Sequence, residues 1–186
     1  MGIKVVKKSS EPLKKLDKLK GIGKKKVVVG IFDRKIAQYA VYVEYGWVQR
    51  TTAKQATFLN GVLGRNFENG IKPGIALVNP PRPFLGGTFL AEHDNWKKIL
   101  QNALKRDWDP EKALKLVGKR AFEDVRQTIT KGGTSDEDFP RRSPLTMALL
   151  KAQSTEHRVS TQSATATDQP LQLSGDLLNS ITYKVV

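Results

Sequence analysis

The chain has 186 residues, of which 39% are hydrophobic and 27% are charged, a composition typical of one globular domain rather than of a disordered protein. It contains no cysteine, which excludes a disulfide framework, a cysteine-ligated zinc site and a thiol nucleophile. No apolar stretch approaches the roughly 18 residues that a membrane span needs, and none has the form of a secretory signal. We therefore expect an intracellular protein without membrane contact.

The net charge of +14 is concentrated near the N-terminus. Residues 1–26 contain ten lysines and two acidic residues, so they hold +8 of the total and leave +6 for the rest. Such a segment suits phosphates or an acidic protein surface, but it is equally typical of a solvated arm. It contains no aromatic residue on which single-stranded bases would stack. The candidate contacts to DNA or to an acidic surface are Lys14, Lys15, Lys18, Lys20, Lys24, Lys25 and Lys26.

The first quarter of the chain predicts a helix, a strand and a second helix. Ser9 to Pro12 supply a hydroxyl cap and a first-turn proline, and the leucine-containing helix that follows ends at Gly21. Residues 26–32 are rich in β-branched side chains and predict a strand. Residues 36–43 carry apolar side chains at helical spacing, and Gly46 ends that helix.

The central part predicts a short helix, a strand and a stiff loop. Thr51 or Thr52 can cap a helix that runs to Leu63, and residues 75–78 are a candidate strand. The sequence Pro-Pro-Arg-Pro at residues 80–83 excludes a helix interior and a central strand. The proline rings therefore fix how the chain approaches the next element.

Two long helices follow this loop. The first is predicted to begin near Phe84 or Thr88, and the second begins at 109–110, where an aspartate cap precedes a first-turn proline. A pair of glycines at 132–133 ends the second helix. Because the two helices are adjacent in the chain, we expect an antiparallel pair.

The C-terminal part predicts less regular structure. Residues 144–152 predict a short helix, and the Ser-, Thr- and Gln-rich stretch near 153–170 predicts a mobile, exposed loop. Ser174 can cap a last short helix that reaches Ile181, and residues 182–186 alternate as a final strand does.

These elements predict an α+β fold. We expect a small mixed sheet packed against several helices, including two long antiparallel helices, with extended loops. The strand near 26–32 and the terminal strand are expected in one sheet. Residues 1–25 are predicted to form a basic N-terminal arm or helix, and residues 26–186 a single core domain.

No catalytic or metal-binding arrangement is recognisable. His93 and His157 lie far apart, and residues 136–138 lack the spaced ligands and the glycine of a calcium loop. The nucleophile elbow, the HExxH motif and the P-loop are absent. We therefore expect a protein that is not an enzyme and that binds no metal or cofactor. An enzyme that uses carboxylates without a local signature is a third, less favoured class.

One DNA-binding motif is approached by residues 16–26. They resemble the first helix and the glycine turn of a helix-hairpin-helix, in which backbone N–H groups bind a phosphate and lysines add charge. The motif needs a second helix after the turn, whereas residues 27–32 favour a strand. A basic DNA-binding module is therefore the alternative function.

Several segments, taken in order, carry a broader resemblance. After the Leu/Lys-rich helix come Val-Val-Gly-Ile-Phe, a helix that ends in Glu-Tyr-Gly, a Thr-Ala-Lys-Gln segment, Pro-Pro-Arg-Pro-Phe-Leu, Pro-Leu-Thr and Leu-Ser-Gly-Asp-Leu-Leu-Asn-Ser-Ile-Thr-Tyr. They occupy residues 28–32, 36–46, 52–59, 80–85, 144–146 and 173–183. In this order they resemble the virion-morphogenesis or tail-completion family of tailed phages, which includes the lambdoid minor tail protein Z and Mu-type protein G. The stretch 153–170 is longer than the usual spacer of that family, and residues 173–176 replace its more typical Asp-Thr-Gly.

The resemblance implies a non-enzymatic structural protein of the virion neck or tail end. Such a protein assembles in the host cytoplasm as a homo-oligomeric ring, a hexamer being one form, that docks the head connector and the tail tube. Its partners would be other neck, connector and tail proteins, and packaged DNA is a further candidate. Termination of the tail and joining of head to tail both stay open as its role.

Five residues of the resembling segments are candidates for the subunit interface: Glu44, Tyr45, Trp47, Arg82 and Phe84. Aromatic side chains beside a glycine turn are common in interface cores, but Tyr45 and Trp47 fit the domain core equally well. Arg82, held between prolines, suits a salt bridge within or between subunits, or a purely local capping role.

Overall fold

A computed structural model describes residues 14, 17, 23, 25–63, 70–155, 170–171 and 175–186. Lys14 and Asp17 are helical, but the rest of the predicted helix over 9–19 lies outside the described residues. Of the predicted loop over 153–170, residues 153–155 belong to a helix, residue 170 is a turn, and 156–169 lie outside the described part.

Six helices and four strands make up the described part of the chain. The helices are α1 Arg34–Tyr45, α2 Ala53–Leu63, α3 Gly86–Asp107, α4 Pro110–Lys131, α5 Pro144–Thr155 and α6 Asp176–Ser180. The strands are β1 Val27–Ile31, β2 Trp47–Arg50, β3 Ala76–Asn79 and β4 Ile181–Val185. The predicted α+β class is confirmed.

The strands form two separate antiparallel ladders rather than one sheet. Strands β1 and β4 pair, with Val27 opposite Val185 and Ile31 opposite Ile181, as the sequence predicts. Backbone hydrogen bonds of 2.6 and 2.8 Å between residues 26 and 186 extend this ladder by one step. Strands β2 and β3 form the second ladder, with Trp47 opposite Asn79.

Local capping explains most helix boundaries. The Asp33 carboxylate accepts from two backbone N–H groups at the start of α1, and the Asp109 carboxylate does the same for α4. Thr52 and Gln55 exchange hydrogen bonds before α2, which is a capping box. The last short helix departs from the prediction, because Gly175, not Ser174, occupies its N-cap, and the helix ends at Ser180.

The two long helices are antiparallel, as predicted. The Thr88 hydroxyl at the start of α3 donates to the Thr128 hydroxyl near the end of α4 over 2.7 Å. Trp96 Nε1 on α3 donates to Asp124 Oδ2 on α4 over 2.8 Å. Contacts that run from the start of one helix to the end of the other require opposite directions.

Helix α4 is the centre of the fold. Phe84 and Ile129, both fully buried, pack with Val125 and Phe139 in the main core. On another side, Gly118 of α4 faces the ring of Tyr183 on β4, and a Cβ at this glycine would lie 2.5 Å from the ring. A smaller apolar cluster lies between α2 and α5 and contains Ala56, Leu59, Leu63 and Ile71, with Leu145, Ala148 and Leu149 packed against it.

Candidate functional site

The turn between α1 and β2 places the first candidate residues. Gly46 has φ +70°, and a Cβ there would lie 2.6 Å from the carbonyl oxygen of Asn79 and 2.8 Å from the nitrogen of Pro81. Only glycine combines this left-handed conformation with so close an approach. The turn therefore lies directly against the proline loop of residues 80–83.

Glu44 binds backbone groups inside the subunit. Its side chain is buried, and its carboxylate accepts hydrogen bonds from the backbone nitrogens of Leu85 at 3.0 Å and Gly86 at 2.7 Å. Leu85, the N-cap residue of α3, supplies no side-chain cap. Glu44 therefore satisfies N–H groups that the helix leaves open and places negative charge at the positive end of its dipole.

Arg82 joins three segments of the chain. It is 6% exposed, and its guanidinium donates to the carbonyl of Pro140 (2.9 Å), the side-chain oxygen of Asn79 (3.0 Å) and the carbonyl of Arg141 (3.2 Å). Its backbone N–H donates to the carbonyl of Val43 over 2.9 Å. These partners are carbonyl and amide oxygens of the same subunit, so Arg82 joins the proline loop to Asn79 and to residues 140–141.

Burial of Arg82 and the nearby charge of Arg142 disfavour additional positive charge around the Arg82 guanidinium. Burial lowers the pKa of the Arg82 guanidinium, and the charge of Arg142 lowers it further, while Tyr39 acts in the opposite direction. The group stays protonated in proteins, as arginine does, so a compact region of positive charge lies beside Tyr39.

The remaining three interface candidates differ in how much of each side chain is exposed to solvent. Phe84 is fully buried in the main core. Tyr45 is 76% exposed and Trp47 is 39% exposed, so the alternative that these two rings belong to the domain core is wrong. Within this chain, Tyr45 and Trp47 have free surface to offer a partner, whereas Glu44, Arg82 and Phe84 hold the turn and the proline loop in place.

A groove opens beside Trp47 that the sequence did not reveal. It encloses about 650 Å³ between α1, the β2–β3 ladder, the start of α5 and residues 170–171. Aromatic and basic residues line it, among them Tyr39, Tyr42, Trp47, Arg82, Arg141 and Arg142. Tyr39 and Tyr42 are both about half exposed. Their three-residue spacing on α1, beside Val43, which lines the same groove, is the signal that points to them.

Three of the seven candidate lysines lie among the described residues. Lys14 is exposed, Lys25 forms an ion pair of 2.8 Å with Glu111 at the start of α4, and the backbone of Lys26 extends the β1–β4 ladder. Hydrogen bonds from Lys25 and Lys115 lower the pKa of Glu111 from 4.5 to about 2. Lys15, Lys18, Lys20 and Lys24 lie outside the described residues. The segment after the glycine turn is strand β1, where a helix-hairpin-helix needs its second helix.

No metal-binding cluster of His, Asp and Glu occurs among the described residues. The His93 ring contacts the carbonyl of Leu90, stacks on Phe89 and lies 3.5 Å from the Asp94 carboxylate. In the described ranges no helix has the length and apolar character that would let it cross a membrane.

Comparison with known proteins adds no further constraint: no family model, no curated protein and no solved structure matches this chain.

Proposed function

We propose that this protein is a structural, non-enzymatic component of a phage neck or tail end, and that it acts by forming an oligomeric ring that docks the connector and the tail tube. The observation that carries the proposal is the contact between the two most distinctive segments of the resemblance. Gly46 lies against Asn79 and Pro81, and Glu44 caps the helix that follows the Arg-Pro-Phe segment. The motifs therefore belong to one structural unit.

The surface of this unit favours assembly. All four residues of β2 are exposed, including Trp47 and Val48. A ladder of two four-residue strands is marginal by itself, and the edges of such a ladder can pair with another chain. Exposed Tyr, Trp and Arg side chains are also the types that dominate binding at interfaces. A second subunit would cover this surface.

The basic segment gives the assembly a second property. A ring multiplies the charge of each subunit by the copy number, so its lysines would create a strong positive field at one face. The ion pair of Lys25 with Glu111 fixes where this segment leaves the core, beside the start of α4. Packaged DNA or an acidic tail surface is the matching partner.

Two measurements test the proposal. Sedimentation velocity and negative-stain microscopy of the purified full chain should show a discrete ring, alone or on isolated tail ends. Particles that lack the protein should contain separated heads and finished tails if it joins them, or overlong tails if it terminates them. A chain that stays monomeric at high concentration and with tail ends present, together with intact particles in its absence, would overturn the proposal.

The concentration of lysines in residues 1–26 supports a basic DNA-binding module as the second candidate. In that case the affinity of the full chain for duplex DNA should fall with salt, with a logarithmic slope of about −0.9 per phosphate contacted. Deletion of residues 1–20 should then abolish binding, whereas a ring would survive the deletion at least in part.

A further inference from the structure

The turn between α3 and α4 carries an aromatic residue in an uncommon backbone conformation. Trp108 ends α3 with φ 49° and ψ 28°, and its backbone N–H donates to the carbonyl of Leu104 over 3.0 Å. Glycine is the usual residue at a left-handed helix end, because a Cβ crowds the backbone there. Helix α4 follows this rule, since Gly132 ends it with φ 79° and donates to the carbonyl of Thr128 over 2.9 Å. A tryptophan at the equivalent position of α3 departs from the local preference, and such departures concentrate at functional sites.

The indole of Trp108 is available to a ligand. Trp108 is 39% exposed, and in the described part of the chain its N–H has no hydrogen-bond partner. Trp96, by contrast, is only partly exposed and donates its indole N–H to Asp124 over 2.8 Å. Trp108 therefore keeps part of its ring surface open, and the described fold makes no use of its N–H group.

Basic side chains surround this turn. Residues 105–115, which we name the α3–α4 tip, and the segment that joins the core beside it supply five of them: Lys105, Arg106, Lys112, Lys115 and Lys25. The three carboxylates of the tip belong to Asp107, Asp109 and Glu111, and each lies between 2.8 and 3.9 Å from one or two of these cations. Lys105 is exposed and forms no ion pair within the described ranges. Five basic against three acidic side chains leave a positive excess at the tip.

The basic N-terminal segment enters the core at this tip. The Lys25 ammonium lies 2.8 Å from the carboxylate of Glu111, three residues after Trp108. Residues 1–24, which precede Lys25 in the chain, contain eight lysines, two acidic residues and no aromatic residue. The structure therefore places, where this segment meets the core, the aromatic ring that the segment itself lacks.

Cations beside an open aromatic ring match the chemistry of nucleic acid. Lysines bind phosphates, and the flat face of a base stacks on an indole ring. An acidic protein surface would match the lysines, but it does not combine each charge with a flat ring as a nucleotide does. Bases inside a duplex are covered by their neighbours, so the matching base lies in a single strand or at the end of a duplex.

We propose that Trp108 stacks on an exposed base of DNA, while lysines of the α3–α4 tip and of the N-terminal segment bind the adjacent phosphates. A single strand and a duplex end both present such a base. The inference rests on the part of the proposed function that gives the basic segment a partner, and it selects DNA over an acidic tail surface. It does not depend on ring formation.

Removal of the ring tests this contact. Fluorescence anisotropy of the full chain with a labelled oligothymidylate of about 20 nucleotides, or with a blunt duplex of similar length, measures the affinity. Trp108→Ala should weaken binding about 10-fold or more, whereas Trp108→Tyr keeps an aromatic face and should retain most of the affinity. The slope of log affinity against log salt should stay the same in Trp108→Ala, because no charge is removed.

Two controls separate stacking from a general loss of binding. Tyr45→Ala removes a largely exposed ring next to Glu44, which caps the opposite end of α3, and it should leave DNA binding unchanged. A relaxed, closed circular duplex offers no open base, so wild type and Trp108→Ala should bind it equally. Circular dichroism melts show that each variant is folded. If Trp108→Ala does not fold, Trp108→Leu keeps an apolar side chain at this position and should show the same loss.

Each outcome bears on the contact. A loss confined to the single strand or to the blunt duplex supports stacking and identifies the source of the base. Equal affinities of wild type and Trp108→Ala for both probes overturn the inference, as does an equal loss with the circular duplex. A loss of the same size with polyglutamate would assign the tip to an acidic protein surface and overturn it too.

The same samples separate this inference from the ring. A wild type that forms a ring in sedimentation velocity but binds no DNA overturns the stacking contact and leaves the ring standing. A wild type that binds DNA through Trp108 but stays monomeric, with and without tail ends, supports the contact and contradicts the ring. A Trp108→Ala variant that is folded but no longer assembles would place Trp108 between subunits and overturn the inference.

Discussion

The layer around α4 and the face formed by α1 and β2 differ in how far their residues are covered. Nine residues of α4 are buried, and α3, β1 and β4 pack around it. By contrast, all four residues of β2 are exposed, and the second apolar cluster is smaller than the main core. The difference indicates that the α4 layer supplies most of the stability of the subunit, while the other region keeps exposed surface, which the proposed assembly would use.

The largest effect on stability should come from the α4 layer. Phe84→Ala removes a fully buried ring from the main core, so we expect the free energy of unfolding to fall by about 3–5 kcal/mol. Urea unfolding measures this loss. Tyr45→Ala, which removes a largely exposed ring from a neighbouring segment, is the control and should change stability by less than about 0.5 kcal/mol. Equal losses would contradict the division into two regions.

A smaller but clear loss is expected at the turn that joins the two regions. Gly46→Ala places a Cβ 2.6 Å from a backbone oxygen at a residue with φ +70°, and the strain should cost about 1–3 kcal/mol. Gly61→Ala, in α2 and with open space around it, should instead stabilise the chain by about 0.5–1 kcal/mol. Thermal melts of the two variants should therefore shift in opposite directions.

On the exposed face, a substitution should change assembly more than stability. Trp47→Ala removes a partly exposed ring, so its effect on unfolding should stay below about 1 kcal/mol. Removal of a buried interface aromatic commonly costs 2 kcal/mol or more, so self-association should weaken about 30-fold. Sedimentation equilibrium measures the association constant. Loss of stability without loss of association would contradict an interface role for Trp47.

The smallest effect should come from the ion pair at the start of α4. Lys25 and Lys115 hold the pKa of Glu111 at about 2, against an ordinary value of 4.5. A carboxyl whose pKa is lowered in the folded state stabilises it above pH 4.5, and this contribution is lost as the pH falls towards 2. The melting temperature of wild type should exceed that of Glu111→Gln slightly at pH 7, and the difference should vanish near pH 2.

Local patterns were sufficient to predict the main elements. The apolar spacing of α1, the cap at Asp109 and the glycines at 132–133 are visible within a few residues, and the structure places the boundaries close to them. The cap at Asp33 was not predicted. Strand β2 was missed because its four residues, Trp-Val-Gln-Arg, neither alternate in polarity nor form an apolar run. The pairing of β2 with β3 depends on a distant partner.

The candidate site was harder to predict because its contacts are long-range. Glu44 caps a helix about 40 residues further along the chain, and Arg82 bonds to carbonyls nearly 60 residues away. In the sequence alone, a glutamate at 44 and an arginine at 82 are equally compatible with a contact between subunits. The three-residue spacing of Tyr39 and Tyr42 is visible in the sequence. That both side chains line one groove is seen only in the structure.

The pairing of β1 with β4 has a consequence for folding kinetics. The two strands are about 150 residues apart in the chain, and closing such a large loop is slow. Tyr183 also needs the bare Gly118 surface of α4 beneath it. We therefore expect the helices to collapse first and the ladder to form in a late, rate-limiting step, so that an intermediate with an unpaired β1 edge is the state most prone to aggregate.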